Sequence, residues 1–261
     1  MMTVEFSTAL LSEVDEPRRA IPPPPEAHLW PREVVTWGLL HARKGGGTRP
    51  FYRCLTRDYR AVFPHLPERP RLCRLFTTHH DWTQAFLAAP TVLGGIDTSG
   101  IALLHPRRAG RSPQQRGRPG LSYHRWLVGG TRCRLLTQWG LVGGWAGATA
   151  HVADTPLQWR VRQCEDQMIV LSETACHAAE GDPSPLTLCP RGAWEDRLLV
   201  ETVLSMLTLV CHLKEVMHRG WAYCQARLAF TMAAFNVLLQ WHGFQPNVSG
   251  FVPLSIAEFS L

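Results

Sequence analysis

From Pro90 onward, short apolar runs are followed by two long helical patterns, and this order restricts the fold more than any other feature of the sequence. Short apolar runs bounded by Gly and Pro are typical of buried strands, whereas an apolar period near 3.6 residues indicates helices. The segment 137–140 separates two of the runs and predicts a β-hairpin. The order strand, hairpin, strand, short strand, helix therefore predicts an α/β domain. The predicted strands are 91–97, 126–136, 141–148, 168–173 and 186–189, and the predicted helices are 194–218 and 221–241.

The first 89 residues carry helical patterns only. Residues 1–29 end in the proline run Pro22 to Pro25, which predicts an extended tail or linker. Residues 30–89 predict a small helical region whose first helix begins near Pro31 and stops at Gly45. Further helices are predicted at 51–63 and 69–87. The predicted organisation is therefore 1–29, 30–89 and 90–261.

The helical region contains nine arginines, six of them between residues 53 and 74, and the whole chain has a formal net charge of +6. A basic surface fits a polyanionic partner such as DNA. Two interpretations stay open for residues 30–89: a DNA-binding module, and a helical cap with a solvated basic face. The six arginines are Arg53, Arg57, Arg60, Arg69, Arg71 and Arg74.

Three acidic residues are singled out by their positions. Asp97 and Glu173 each follow an apolar run and are predicted to close a strand, where side chains of an α/β sheet project into a crevice. Glu201 lies on a polar stripe of the first long helix, together with Ser205 and Thr208. Three converging carboxylates repel one another unless a cation neutralises them, and oxygen ligands suit Mg²⁺ or Mn²⁺.

Five motifs, in this order, resemble the DDE transposases of bacterial insertion sequences, and the resemblance extends from about Phe51 to Leu261. The first contains Asp97, the fourth contains Glu173, and the fifth is a helix containing Glu201. The second motif follows a basic loop, and the third ends at Asp154. The motifs are Val92–Thr98, Gly120–Gly130, Ala148–Asp154, Ile169–Ala175 and Arg197–Ser205.

The resemblance implies an RNase H-like mixed sheet flanked by helices. It implies that Asp97, Glu173 and Glu201 are the catalytic residues and hold two Mg²⁺ or Mn²⁺ ions. The implied reactions of this mobile-element enzyme are cleavage of double-stranded DNA at the element end and attack of the freed 3′-hydroxyl on target DNA. The implied assembly is a homodimer on DNA in the bacterial cytoplasm, associated with the nucleoid when it is bound.

The second acid of the family is normally aspartate, whereas this chain has Glu173. Glutamate keeps the charge but moves the carboxylate outward by one methylene group. A displacement of about 1 Å can cost on the order of 10²-fold in rate, so we expect impaired cleavage. The alternative is a catalytically inactive DNA-binding relic of a transposase, and a third interpretation is a general nuclease of the same fold.

The stretch between the first and second motifs carries five arginines and no acid, and a sixth arginine follows it. Arginine combined with glycine gives a flexible cationic surface that suits phosphate contacts. The other interpretation is an ordinary solvated loop, but its position after Asp97 favours DNA contact. The predicted DNA-binding residues are Arg107, Arg108, Arg111, Arg116, Arg118 and Arg125.

The most apolar stretch, Leu228–Trp241, is shorter than the roughly 20 apolar residues that a membrane span needs. It predicts a buried core helix and a protein without a membrane partner. The eight cysteines form no closely spaced pairs, which argues against a zinc site and favours reduced thiols in the cytoplasm.

Overall fold

A computed structural model describes residues 4–16, 29–102, 120–122, 125–127, 129–149, 168–172, 186–188, 194–214, 220–243, 252 and 254. These residues form six α-helices, a 3₁₀ helix and seven strands. The helices are α1 (Val4–Asp15), α2 (Pro31–Lys44), α3 (Thr48–Asp58), α4 (Arg69–His79), the 3₁₀ helix (His80–Phe86), α5 (Trp194–Val210) and α6 (Trp221–His242). The strands are β1 (Leu93–Ala102), β2 (Gly120–Ser122), β3 (Arg125–Leu127), β4 (Gly129–Thr137), β5 (Val142–Thr149), β6 (Ile169–Ser172) and β7 (Leu186–Leu188).

Five of the described strands form a mixed sheet in the order β5-β4-β1-β6-β7. β1, β4 and β5 pair antiparallel in sequence order, whereas β6 and β7 join the other edge of β1 in parallel. The turn between β4 and β5 contains Gly140 at a φ of 77°, and its N–H donates to the carbonyl of Thr137 at 2.9 Å. The predicted α/β class, the hairpin and the order of the strands are thus confirmed. β2 and β3 form a separate two-stranded hairpin.

The two faces of the sheet carry different clusters of buried residues. On one face Leu136 and Trp145 pack with α5 and α6, through residues such as Val203 and Leu207. On the other face Ile96 and its neighbours form a smaller cluster. This division follows from strand alternation, because successive side chains point to opposite faces. The smaller cluster comprises Ile96, Leu135, Ala146, Met168, Val170 and Leu186.

Helix α6 packs against two parts of the molecule: the helices before Pro90, and α5 with the sheet. Its residues Phe230, Ala233 and Val237 share a cluster with α1, α2, α3 and α4, while other residues of α6 pack with α5 and β5. Gly38 of α2 permits this contact, because a methyl group at residue 38 would lie 2.4 Å from Cε1 of Phe230. The helices before Pro90 therefore share a core with a helix from the end of the described chain.

A buried amide joins α6 to the start of β5. Asn236 is fully buried, and its Oδ1 accepts a hydrogen bond from the N–H of Val142 at 2.8 Å. Its Nδ2 donates to the carbonyls of Val142 at 2.8 Å and Phe86 at 2.9 Å. One side chain thus satisfies backbone groups of a strand and of the 3₁₀ helix, which fixes how α6 lies on the sheet.

Two expectations about helices were wrong. Residues 4–15 of the expected tail form α1, which buries Leu10 and Val14 against the helical core. The prediction of an extended tail relied on the proline run. It overlooked Phe6, Leu10 and Val14, which recur every four residues and form one apolar side of a helix. Helix α5 ends at Val210 and does not reach residue 218, because His212 takes a φ of 52° and the N–H of Leu213 donates to the carbonyl of Leu207 at 3.1 Å.

The apolar stretch near the end of the chain is a core helix, as predicted. Residues 226–239 of α6 are buried throughout. Within the described ranges, no helix is long and apolar enough to cross a membrane.

Candidate carboxylate site

Asp97 lies in the middle of β1, whereas the sequence predicted that it would close the strand. β1 continues to Ala102 because its antiparallel partner β4 pairs with it over that whole length, and Asp97 is opposite Arg134. On its other edge β1 is paired with β6 only as far as Gly95, which is opposite Leu171. Asp97 is therefore two residues beyond the last paired position on the parallel edge, so one side of its backbone is no longer covered by β6.

Glu201 is exposed on α5, one residue after the half-buried Val200. The buried side of this helix is formed by Val203, Met206, Leu207 and Val210, so its predicted amphipathic character is confirmed. The expected polar stripe is partly present: Ser205 is exposed and Thr208 is half-buried.

Helix α5 approaches β1 closely at Gly95. A methyl group at residue 95 would lie 2.9 Å from Cγ2 of Val200 and 4.0 Å from the carbonyl oxygen of Leu171. Three elements, β1, β6 and α5, therefore meet at this glycine. In the sequence, Asp97 follows Gly95 by two positions, and Glu201 directly follows Val200.

The remaining predicted site residues fall outside what the structure describes. Glu173 follows the last residue of β6 and is not among the described residues. The same holds for five arginines of the basic loop, which connects β1 to β2. The backbone of Arg125 forms the first residue of β3, paired with Ser122. The five arginines are Arg107, Arg108, Arg111, Arg116 and Arg118.

Arg134 is a residue of this site that the sequence analysis did not single out. It lies on β4 in register with Asp97, is only 1% exposed, and donates from Nη2 to Oγ of Ser99 at 2.9 Å. A buried guanidinium is costly without compensation, since a buried charge needs a partner of opposite charge or hydrogen bonds. The signal in the sequence was an arginine in the middle of an apolar strand.

The helical region presents a second basic surface. The six arginines between residues 53 and 74 are exposed, and Arg57 pairs with the adjacent Asp58 through Nε and Oδ1 at 2.6 Å. The Arg57 guanidinium lowers the pKa of the Asp58 carboxyl, mainly through this hydrogen bond. These helices share a cluster of buried residues with α6.

No protein-family model, curated protein or solved structure matches this chain. Among the side chains that the structure describes, no group of three His, Cys, Asp or Glu residues is placed to hold a metal ion. Glu173 and the side chain of Asp97 are outside that set. The donor atoms of the predicted triad are all carboxylate oxygens, and such a set fits a hard cation such as Mg²⁺ or Mn²⁺.

Proposed function

We propose that this chain is a DDE-type transposase that cleaves and joins DNA through Asp97, Glu173 and Glu201. The observation that carries the proposal is the meeting of β1, β6 and α5 at Gly95. Asp97 lies on β1, Glu173 directly follows β6 in the sequence, and Glu201 lies on α5.

Strand alternation strengthens the argument. Positions 95 and 97 are two residues apart, and alternation puts such positions on the same face of a strand. Leu171, the partner of Gly95, precedes Glu173 by the same two positions. Val200 contacts the position of Gly95 on that face and precedes Glu201. The mixed sheet, with a hairpin on one side of β1 and parallel strands on the other, supports an RNase H-like architecture.

The proposed reaction follows from the three carboxylates of the triad. Three carboxylates would hold two divalent ions, and these ions would supply an activated water or 3′-hydroxyl and neutralise charge at the leaving oxygen. The chain itself contributes fixed carboxylate positions and a site that holds the phosphodiester in line. Glu173 is expected to reduce the rate, because its longer side chain displaces one carboxylate.

Two basic segments support double-stranded DNA as the partner. The arginine-rich segment 103–119 follows β1, which ends five residues after Asp97, and the six arginines between residues 53 and 74 of the helical region are exposed. Contacts from arginine to phosphate are independent of sequence and weaken as salt increases. Joining two element ends would require two copies of the chain, so we propose a homodimer on DNA.

The test is a cleavage assay on a labelled duplex that carries an element end and its flank, with Mg²⁺ and with Mn²⁺. The wild-type chain is compared with Glu173→Asp, Asp97→Asn and Glu201→Gln. Glu5→Gln serves as the matched control, because Glu5 is an exposed glutamate on α1. We expect Glu173→Asp to raise metal-dependent cleavage by on the order of 10²-fold, the two neutral variants to abolish it, and the control to leave it unchanged.

Other outcomes lead to other functions. Cleavage that persists in Asp97→Asn or Glu201→Gln would contradict the proposed triad. Absence of cleavage even in Glu173→Asp, together with salt-sensitive DNA binding, would favour the inactive relic, for which the glutamate at position 173 is the supporting observation. Equal cutting of DNA without an element end would favour a general nuclease.

A further inference from the structure

A cavity of about 200 Å³ lies within the helical region, and residues of α2, α3, α4 and α6 line it. The ring of Phe76 lies 6.0 Å from that of His41 and 5.6 Å from that of Phe230, so three lining rings form one continuous wall. These three residues are buried, whereas Tyr223, which also lines the cavity, is 38% exposed. The cavity thus has an aromatic wall and a side that reaches solvent at Tyr223.

The volume of the cavity limits the size of a ligand. An apolar cavity of about 150 Å³ in a protein core can hold one benzene molecule. This cavity, at about 200 Å³, therefore has room for one six-membered ring and one small substituent. It is smaller than the roughly 300–1,000 Å³ that sites for larger ligands occupy. A ring also suits the wall, because offset and edge-to-face contacts between rings add to the gain from burial.

The charge around the cavity favours an anion. Among the described residues that line it, Arg227 is the permanently charged one, and none is acidic. Arg227 is 4% exposed, and its Nη2 donates to the carbonyl of Ala42 at 3.5 Å. A guanidinium has its N–H donors in a planar fork, which is the geometry that binds carboxylates. On the opposite helix, burial raises the pKa of the lining Cys73 thiol, and the positive charges of Arg69 and Arg74 oppose that effect.

The helix ends at the cavity add to this preference. Thr48 is the first residue of α3 and Tyr223 is the third residue of α6, so two helix N-terminal ends adjoin the cavity. The partial positive charge of such an end stabilises an anion nearby. The C-terminal end of α2 has the opposite partial charge and lies beside the cavity at His41, but the same turn carries Arg43 and Lys44.

We propose that this cavity binds a small aromatic carboxylate, with its ring against Phe76 and Phe230 and its carboxylate at Arg227. The inference does not depend on the proposed function, because it uses only residues of α2, α3, α4 and α6. A ligand that contacts α4 and α6 at once links the helices before Pro90 to the last described helix. Such a ligand binds the folded chain alone and raises its stability.

The experiment is calorimetry of the full chain with benzoate and with phenylacetate, each compared with its neutral amide. We expect at least one carboxylate to bind with a Kd below about 1 mM, and its amide to bind at least about tenfold more weakly. Ala226→Leu should abolish binding, because Ala226 lines the cavity, is 1% exposed, and the larger side chain fills the space. Ala222→Leu is the matched control, since Ala222 is an exposed alanine of the same helix, and it should leave the Kd unchanged.

A second measurement needs no variant. Cys73 is half-buried and lines the cavity, so a bound carboxylate should slow its alkylation by iodoacetamide, followed by mass spectrometry of the peptide. At ten times the Kd the rate should fall by about tenfold, while the amide at the same concentration should change it little.

Three results would overturn the inference: no binding of either carboxylate, equal binding of a carboxylate and its amide, and binding that persists in a folded Ala226→Leu. Melting curves show which variants are folded. Should Ala226→Leu not fold, the alkylation of Cys73 decides. A rate that the bound carboxylate does not change would show that the ligand lies elsewhere.

Discussion

At the scale of single residues, the described core depends on a few polar groups that link elements far apart in sequence. Asn236 is the clearest of them, since its amide bonds to the backbone of both Val142 and Phe86. Backbone groups buried without a partner are costly, so a residue that satisfies two segments at once contributes more than its packing alone.

Replacing Asn236 by leucine should lower the free energy of unfolding by about 2–4 kcal/mol. The change leaves the N–H of Val142 and the carbonyl of Phe86 buried without their side-chain partner, at about 1–3 kcal/mol each. Urea denaturation measures the loss. Thr231→Val is the control, because the buried Thr231 hydroxyl bonds to the carbonyl of Arg227 within the same helix, and it should cost less than about 1 kcal/mol. Equal losses in both variants would contradict the bridging role.

Cys211 should make stability depend on alkaline pH. Burial raises the pKa of this thiol from 9.0 to about 12, against a smaller opposing effect of Arg43 and Arg227. Above pH 9 the unfolded chain loses the thiol proton while the folded chain keeps it, so stability falls as pH rises through this window. Between about pH 8 and about pH 10.5, the wild-type chain should lose about 2 kcal/mol more than Cys211→Ala. Parallel losses in urea titrations would show that the buried thiol has no part in the pH dependence.

At the scale of elements, the contact of α5 with β1 determines whether Glu201 can approach Asp97. Val200 occupies the space that a side chain on Gly95 would need, so the glycine permits the helix to lie close to the strand. Close approach of this kind is a common reason for glycine inside a strand.

Gly95→Ala should therefore weaken Mn²⁺ binding without removing any acid. The added methyl group pushes Val200 outward, and a displacement of about 1 Å at a metal site can cost on the order of 10²-fold. Gly38→Ala is the matched control, since it strains the contact of α2 with Phe230, which lies on α6. Each variant should lose about 1–3 kcal/mol of stability, but only Gly95→Ala should change Mn²⁺ affinity measured by calorimetry. Unchanged affinity in Gly95→Ala would separate α5 from the site.

The elements that could be predicted are those with a local signal. The hairpin turn ends in Gly140, and the apolar runs of the strands are short and bounded by Gly or Pro, so their order followed from local patterns. The end of β1 could not be predicted, because pairing with β4 carries it past Asp97. Helix α1 was missed because its apolar side is buried only once other segments pack on it: Leu10 and Val14 join the cluster of α2, and the ring of Phe6 lies 5.5 Å from that of Trp241.

For the site, local patterns were enough to select Asp97 and the helix of Glu201, but the position of Asp97 within its strand needed the register of β4. Arg134 was missed for a related reason. An arginine between apolar residues of a strand is ordinarily interpreted as a solvated side chain, and only the assembled sheet shows that it is enclosed.

At the scale of the whole molecule, the helical region and the sheet are connected through α6. The apolar side of α2 packs against Phe230 and Ala233 of α6, and Asn236 of the same helix holds β5. A boundary at residue 90 therefore separates the first helices from the sheet and from α5 and α6. It does not separate two independent cores, because α6 contributes to both clusters of buried residues.

Cutting the chain after residue 90 should leave neither part with a cooperative thermal transition. The first fragment lacks the α6 residues that complete its core, and the second exposes the same residues to water. Circular dichroism melting of each fragment measures this, and co-expression of both should restore one transition. A cooperative melt of the first fragment alone would instead favour an independent DNA-binding module.

The late position of α6 has a consequence for the nascent chain. Helix α2 begins at Pro31, and α6 begins at Trp221, roughly 190 residues later. At a synthesis rate of about 5–20 residues per second, the first helices wait on the order of 10–40 s for the segment that covers them. During that interval their apolar sides face water or a chaperone. The speed at which the ribosome translates the middle of the message therefore determines how long these apolar surfaces stay exposed to aggregation before α6 packs against them.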